Sequence, residues 1–226
     1  MLRSQQRQDI VLPARDEFST VVPALLERHL ETLLVGSAIS LEVIRERGYR
    51  SAITWQDLDG LGFRGTQKRA ECFPAMVIPL YDPTGCYTHS VVRWDHPRID
   101  AKGREVRYDQ PFGVSLRLDV PLRCLAGLRD AEQPLWWTEG SKKADALASR
   151  GLVAISTPGV DGWRSPSAIV DLFGIPLKSR AVYCAYDSDV LTKPTVRRAL
   201  EALAAWMSQR GASFMVVDWT RLSEAA

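Results

Sequence analysis

Two short acidic motifs in the second half of the sequence carry the side chains best suited to hold a divalent cation: Thr138-Glu139-Gly140 and Asp187-Ser188-Asp189. An Asp-x-Asp pair at the end of a strand can aim two carboxylates at one hard cation, and a Glu from a neighbouring strand adds a further oxygen donor. Magnesium, or manganese in its place, fills its other positions with water and substrate phosphate and neutralises charge during phosphoryl transfer. Glu139, Asp187 and Asp189 are therefore the candidate metal ligands, with Glu139 also the candidate catalytic residue. Directly after Glu139, Gly140 lets the chain turn and Ser141, Lys142 and Lys143 open a helix whose free N–H groups and positive dipole end suit a phosphate. Each motif alone occurs by chance in many chains. Asp189 also suits the cap of a turn, and the two lysines also suit a solvated helix face. Their order on successive strand–helix units is what favours a site. Asp218, followed by Trp219 near the end of the sequence, reads as structural or solvated.

A second group could bind single-stranded nucleic acid. Arg93, Arg98, Lys102, Arg104 and Arg107 fall within fifteen residues, with Trp94 and Tyr108 available for base stacking. Asp95, Asp100, Glu105 and Asp109 nearly balance that charge, so a solvated, salt-bridged hairpin fits the same stretch equally well.

Other chemistries lack their residues. His29, His89 and His96 share no metal-ligand spacing, and Cys72, Cys86, Cys124 and Cys184 contain no C-x-x-C pair, which argues for reduced thiols and against a zinc ribbon. Neither a G-x-S-x-G nucleophile elbow nor a G-x-x-x-x-G-K-[ST] phosphate loop is present. The net charge of +2 is too small to announce nucleic-acid binding by itself, so any basic face must be local. No apolar run approaches a membrane span, and the expectation is a soluble, cytoplasmic protein with no membrane partner.

The elements that must position these residues follow from the hydrophobic pattern. At 226 residues, 46% hydrophobic and 25% charged, the chain is expected to form one large domain or two small lobes. Residues 1–20 are polar and expected to fray. Residues 21–130 read as a mixed α+β front lobe: a helix carrying Leu26, Leu30, Leu33 and Leu34 on one stripe, a short helix capped by Ser40 and closed by Gly48, and a Thr54-capped helix with Trp55, Leu58 and Leu61. Two antiparallel strands over 76–81 and 87–94 follow, joined by the turn Asp82-Pro-Thr-Gly85, then short strands over 106–108 and 114–118. With the boundary placed in 128–134, residues 131–226 alternate strand and helix: strands over 135–138, 152–156, 181–186 and 214–219, helices over 141–150, 168–173 and 194–210. That alternation predicts a doubly wound α/β lobe with a mainly parallel sheet, whose ligands sit beyond the carboxyl ends of the strands.

The stretches Leu135-Trp-Trp-Thr-Glu-Gly-Ser-Lys-Lys-Ala-Asp-Ala-Leu-Ala-Ser-Arg-Gly151 and Tyr183-Cys-Ala-Tyr-Asp-Ser-Asp189 resemble a toprim domain, the Rossmann-like fold shared by primases, topoisomerases and certain nucleases. The whole chain further resembles a toprim-like family, formerly of unknown function, carried by phages, plasmids and integrative elements. In that family the front region carries patterns such as Glu27-Arg-His-Leu-Glu31, Ser37-Ala-Ile-Ser40, Arg47-Gly-Tyr49 and Ile78-Pro-Leu-Tyr-Asp-Pro-Thr-Gly85. The resemblance implies that Glu139 matches the toprim glutamate, that Asp187 and Asp189 match its metal-binding pair, and that Asp145 matches an acidic position within the helix. The sequence departs from the usual pattern after the second Asp, where Val190-Leu-Thr-Lys193 follows.

The expected function is a magnesium-dependent, primase-like nucleotidyltransferase core acting in DNA replication for a mobile element. Its partners would be single-stranded DNA, nucleoside triphosphates and a replicative helicase. Two alternatives stand beside it: a toprim nuclease using the same acids, and a catalytically inactive module that binds DNA or a helicase.

Overall fold

The computed structural model describes Val22, residues 24–64, Gln67, and residues 70–187 and 194–217. The N-terminal segment expected to fray, Asp189 and Asp218 lie outside the described residues.

In the front lobe, α1 (Glu27–Leu34) and α2 (Leu41–Arg47) precede strands β1 (Arg50–Ala52), β2 (Ala75–Tyr81), β3 (Tyr87–Ile99) and β4 (Glu105–Asp109). The strands form one antiparallel sheet in the order β1-β2-β3-β4. Alternation along β2 explains the layering. Met76, Ile78 and Leu80 pack with Leu30, Leu33, Val43 and Ile44 of the helices, while Ala75 and Val77 pack on the other face with Leu58, Phe63 and Trp94. The Ser40 hydroxyl accepts from Val43 N–H, and Gly48 closes α2 at φ 76°, a left-handed conformation that glycine adopts at little cost. In the β2–β3 turn, Asp82 Oδ1 accepts from the N–H groups of Thr84 (2.9 Å) and Cys86 (3.2 Å).

After the single helical turn α3 (Leu125–Leu128), the second lobe alternates β5 (Leu135–Thr138), α4 (Ser141–Ala148), β6 (Val153–Ser156), α5 (Pro166–Phe173), β7 (Ala181–Cys184), α6 (Pro194–Gln209) and β8 (Ser213–Val216). Its sheet is wholly parallel in the order β6-β5-β7-β8. Leu135, Trp137, Ala154, Ile155, Val182 and Cys184 are buried along the central strands, as near-continuous apolar runs require. An α+β lobe followed by an α/β lobe with a parallel sheet is the arrangement expected from the pattern of elements.

Several local expectations differ. The segment 114–118 forms no strand, because side chains take its backbone groups: Asp171 Oδ2 accepts from Leu118 N–H (3.1 Å) and the Ser165 hydroxyl donates to Leu116 C=O. Beyond it Asp119 pairs with Ser156 in an isolated antiparallel bridge, and Val120 N–H donates to Tyr81 C=O (2.9 Å). Leu118, Val120, Cys124 and Leu128 pack in the second lobe's core, so the division in packing falls ahead of the 128–134 stretch where the strand–helix alternation begins. The expected Thr54 cap is replaced by Asp57, whose Oδ2 accepts from Ile53 N–H (2.7 Å) and Thr54 N–H (2.8 Å) over one short turn, Gln56–Leu58. Pairing of β7 stops at Cys184, two residues short of the expected end.

A buried polar cluster joins the lobes. Arg47 Nη1 donates to Asp119 Oδ1 (2.7 Å) and Pro79 C=O (3.0 Å), and Nη2 donates to Asp145 Oδ1 on α4 (2.7 Å). The Tyr49 hydroxyl donates to Asp145 Oδ2 (2.6 Å), and Ser156 Oγ donates to Asp119 Oδ2 (3.1 Å). Burial opposes the Arg47 charge, and the carboxylates of Asp119 and Asp145 more than offset it, holding the guanidinium ionised. The front-region motif Arg47-Gly-Tyr49 and the helix acid Asp145 thus meet in one ion cluster.

Candidate active site in the interlobe cleft

Strand order creates the site. β6 and β7 flank β5 on opposite sides, so the connection leaving β5 runs to β6 on one side and the connection leaving β7 runs to β8 on the other, a topological switch point where open parallel sheets form a crevice. Glu139 is the first residue after β5 and Asp187 the third after β7. Lys143, in the first turn of α4, bridges them: its Nζ is 2.9 Å from Glu139 Oε1 and 2.5 Å from Asp187 Oδ1. Burial works against the ammonium, but the contacts with Asp187 and Glu139 outweigh it and hold the Lys143 pKa above the usual lysine value.

One cation in contact with both carboxylates shows that the pair can share an ion. Hard oxygen donors of this kind fit magnesium or manganese. Among the described residues no group of three or more such ligands assembles, and Asp189, the further donor expected from sequence, lies outside them.

The opening of α4 has no side-chain cap. Gly140 has extended backbone, φ −173°, which any residue adopts, so the turn itself does not require glycine; a Cβ there would meet nothing within 4 Å. Ser141, Lys142 and Lys143 line the same cleft as Glu139 and Asp187, a space of about 690 Å3. Its other walls are Tyr108, Asp109 and Gln110 at the end of β4 and the Ser156–Gly159 segment leaving β6, with Asp119 between the lobes. Lys142 Nζ reaches Ser37 Oγ at 3.4 Å, across the lobe boundary. Burial, with the nearby charges of Arg93 and Lys143, lowers the Lys142 pKa.

The basic stretch expected to bind nucleic acid is the β3–β4 hairpin, and most of its charge is already paired. Arg98 grips Asp109 with two hydrogen bonds (2.9 and 3.0 Å), Arg104 Nε donates to Asp100 (2.8 Å), and Arg107 donates twice to Glu105 (3.0 and 2.6 Å). Lys102 sits exposed in the turn, its N–H on Asp100. The stacking role expected of Trp94 does not fit its burial. The side chain is 1% exposed, packs edge-on against Trp55 and Phe73, and donates to Asp109 (3.1 Å). Arg93 and Tyr108 differ from the rest. They are register partners; Tyr108 is exposed and lines the cleft, while Arg93 is close enough to Lys142 to act on its charge, with Asp95 at 3.9 Å.

Sequence reading missed Asp119 and the cleft-lining Thr157-Pro158-Gly159. The latter follows β6 at its carboxyl end and was open to the same argument that found Glu139 and Asp187. Asp119 offered no such signal, because it sits in a loop and its partners Arg47, Tyr81 and Ser156 are all distant in sequence.

The fold is similar to that of solved DnaG-type primase domains. Residues 126–225 match a family described as a domain of unknown function (DUF3854). An uncharacterized protein of Picosynechococcus sp. is 26% identical over 174 residues, 60% of this chain and 17% of that protein. The Aquifex aeolicus primase zinc-binding and RNA polymerase domains superpose with a TM-score of 0.60 at 16% identity, over 85% of this chain and 49% of that one. The RNA polymerase domain of Mycobacterium tuberculosis primase DnaG gives 0.55 at 14% identity, over 87% of this chain and 71% of that one. A DnaG primase catalytic domain bound to single-stranded DNA gives 0.52 at 15% identity, over 83% and 62%. The chain thus spans about half of the Aquifex structure and a sixth of the curated relative. Among the described residues, no helix is long and apolar enough to cross a membrane.

Proposed function

We propose that this chain is the core of a magnesium- or manganese-dependent, primase-like nucleotidyltransferase that works in DNA replication for a mobile element, with single-stranded DNA and nucleoside triphosphates as substrates. The observation that carries the reading is the convergence of Glu139 and Asp187 on one cation at the switch point of the parallel sheet. The mobile-element setting, a cytoplasmic location and a replicative helicase as partner rest on the sequence resemblance.

A magnesium ion held by Glu139, Asp187 and Asp189 would neutralise charge on the phosphates of an incoming nucleotide. The chain's own residues do the rest. The uncapped start of α4 and Lys142 face the phosphate, Arg93 and Tyr108 meet the template from the opposite lobe, and Glu139 accepts the proton of the attacking hydroxyl. The buried Arg47–Asp145 contact holds the two walls in register. The likeness to a DnaG catalytic domain solved with single-stranded DNA supports this choice of template.

The test is incorporation of labelled nucleotides on single-stranded DNA with magnesium or manganese, the template labelled in parallel. Product growth that disappears in Glu139→Gln and in the double variant Asp187→Asn, Asp189→Asn is the expected result. Template shortening lost in the same variants would replace synthesis by cleavage. Neither activity in folded protein that still binds DNA would replace both by a binding module.

A further inference from the structure

We infer that Lys143 is a built-in counterion of the acidic site, and that its ammonium and a divalent cation occupy the Glu139–Asp187 pair in exclusion of one another. The inference rests on the reading of that pair as a metal site and concerns what controls entry to it.

The geometry is specific to Lys143. Its Nζ contacts one oxygen from each carboxylate, at 2.9 Å and 2.5 Å, and so takes up the bridging position between two strands that a shared ion would need. Glu139 lies two residues ahead of α4 and Lys143 in its first turn, with Gly140 extended between them, and the ammonium folds back onto the carboxylate. The neighbouring Lys142 turns instead to Ser37. Without a cation between them, the two carboxylates would face each other with like charge; the ammonium removes that repulsion. A divalent ion bound to the same oxygens would stand within about 4 Å of the ammonium, and at that separation two like charges repel strongly enough to displace one of them. The Lys143 side chain is 39% exposed on a flexible four-carbon stem, so it can swing into the cleft. The Lys142 ammonium beside it carries like charge, and the two act on each other.

Manganese binding to the full chain tests this without any measurement of turnover. Titration is followed by calorimetry and by the electron paramagnetic resonance signal of free manganese, for the wild type, Lys143→Met, Lys143→Arg and Glu139→Gln. The expected result is that Lys143→Met binds about tenfold more tightly than the wild type, a shift of the size that one nearby charge produces. Lys143→Arg should stay near the wild type because it keeps the competing cation, and Glu139→Gln should lose binding. Circular dichroism confirms that the variants are folded. Equal affinity of Lys143→Met and wild type, with binding still lost in Glu139→Gln, would overturn the counterion inference and leave the metal site standing. Binding absent from all four proteins, or unchanged in Glu139→Gln, would overturn the metal site and the inference with it.

Discussion

Arg47 and Asp145, 98 residues apart in the sequence, meet in the buried seam between the lobes, with Nη2 2.7 Å from Oδ1. Their side chains are 2% and 0% exposed. Removing Arg47 strands the buried carboxylates of Asp145 and Asp119, and removing Asp145 leaves Arg47 with the Asp119 carboxylate; breaking a buried pair in this way costs about 3–5 kcal/mol. Arg47→Met and Asp145→Ala are each expected to lose that much in urea unfolding. The double variant should lose less than the sum, because Asp145 is then no longer left without its guanidinium, although Asp119 still is. Additive losses would mean that the pair contributes no coupling.

Replacing the site acids should act on chemistry rather than folding, since Glu139 is only partly buried and Asp187 exposed. Glu139→Gln is expected to reduce nucleotide incorporation by at least about a hundredfold, the usual contribution of a positioned general base. Its melting temperature should stay close to that of the wild type. Incorporation retained within a few-fold would remove Glu139 from the mechanism.

Single-strand binding should depend on the cleft side of the hairpin and not on its tip. Arg93→Ala and Lys142→Ala are each expected to weaken binding to oligothymidine and to reduce the slope of log K against log salt by about 0.7, the value for one phosphate contact on a single strand. Arg104→Ala and Arg107→Ala remove residues already paired to Asp100 and Glu105 and should change neither quantity. The opposite pattern would move the nucleic-acid surface to the hairpin tip.

Acid should weaken the front lobe through its buried histidines. Burial lowers the pKa of His29, with the Asp95 contact offsetting part of that, and burial also lowers the pKa of His89. The unfolded chain then binds more protons than the folded one below the ordinary histidine value of about 6.5. Stability is full above that value and falls as pH drops through it, by up to about 1.4 kcal/mol per pH unit for each histidine. Urea unfolding at pH 7.5 and 5.5 should show this fall. The double variant His29→Gln, His89→Gln should show a smaller one, and a wild type with equal stability at both pH values would contradict the assignment.

Arg180 is completely buried and donates to four main-chain carbonyls, those of Leu128 (2.7 Å), Gln133 (2.9 Å), Gly127 (2.9 Å) and Pro176 (3.4 Å). It ties the connection before β5 to the start of β7. Arg180→Met leaves these acceptors unpaired, at a cost of about 3 kcal/mol or more. For a chain of this size that lowers the melting temperature by roughly 6–12 °C. Arg180→Lys should recover only part of the loss, since one ammonium cannot span the guanidinium's fork. Wild-type stability in Arg180→Met would show that water reaches the carbonyls.

The regular parts of this protein were legible in the residues themselves. Alternation marked β2 and β3, and apolar runs separated by helix-length segments marked the parallel lobe from Leu135 onward. Ser40 and Gly48 bounded α2 because capping is local chemistry, set by a hydroxyl and a left-handed backbone within a few residues. The placing of Glu139 and Asp187 at strand ends followed from the same local patterns. What the sequence left open depends on contacts between residues far apart in the chain. Trp94 and Tyr108 both looked able to stack on a base, and only packing decided that Trp94 is sealed against Trp55 and Phe73 while Tyr108 lines the cleft. The charges of the hairpin were equally ambiguous until the fold set Arg98 on Asp109. Lys143 read as a phosphate ligand or a solvated helix residue, and its contact with both Glu139 and Asp187 exists only because the strand order brings β5 beside β7. Asp145 carried no local sign of its partners, since Arg47 and Tyr49 reach it from another lobe. Local spacing determines which residues share a strand or a helix face; which faces then meet is decided by burial of the whole chain, and there the cleft and its charges took their form.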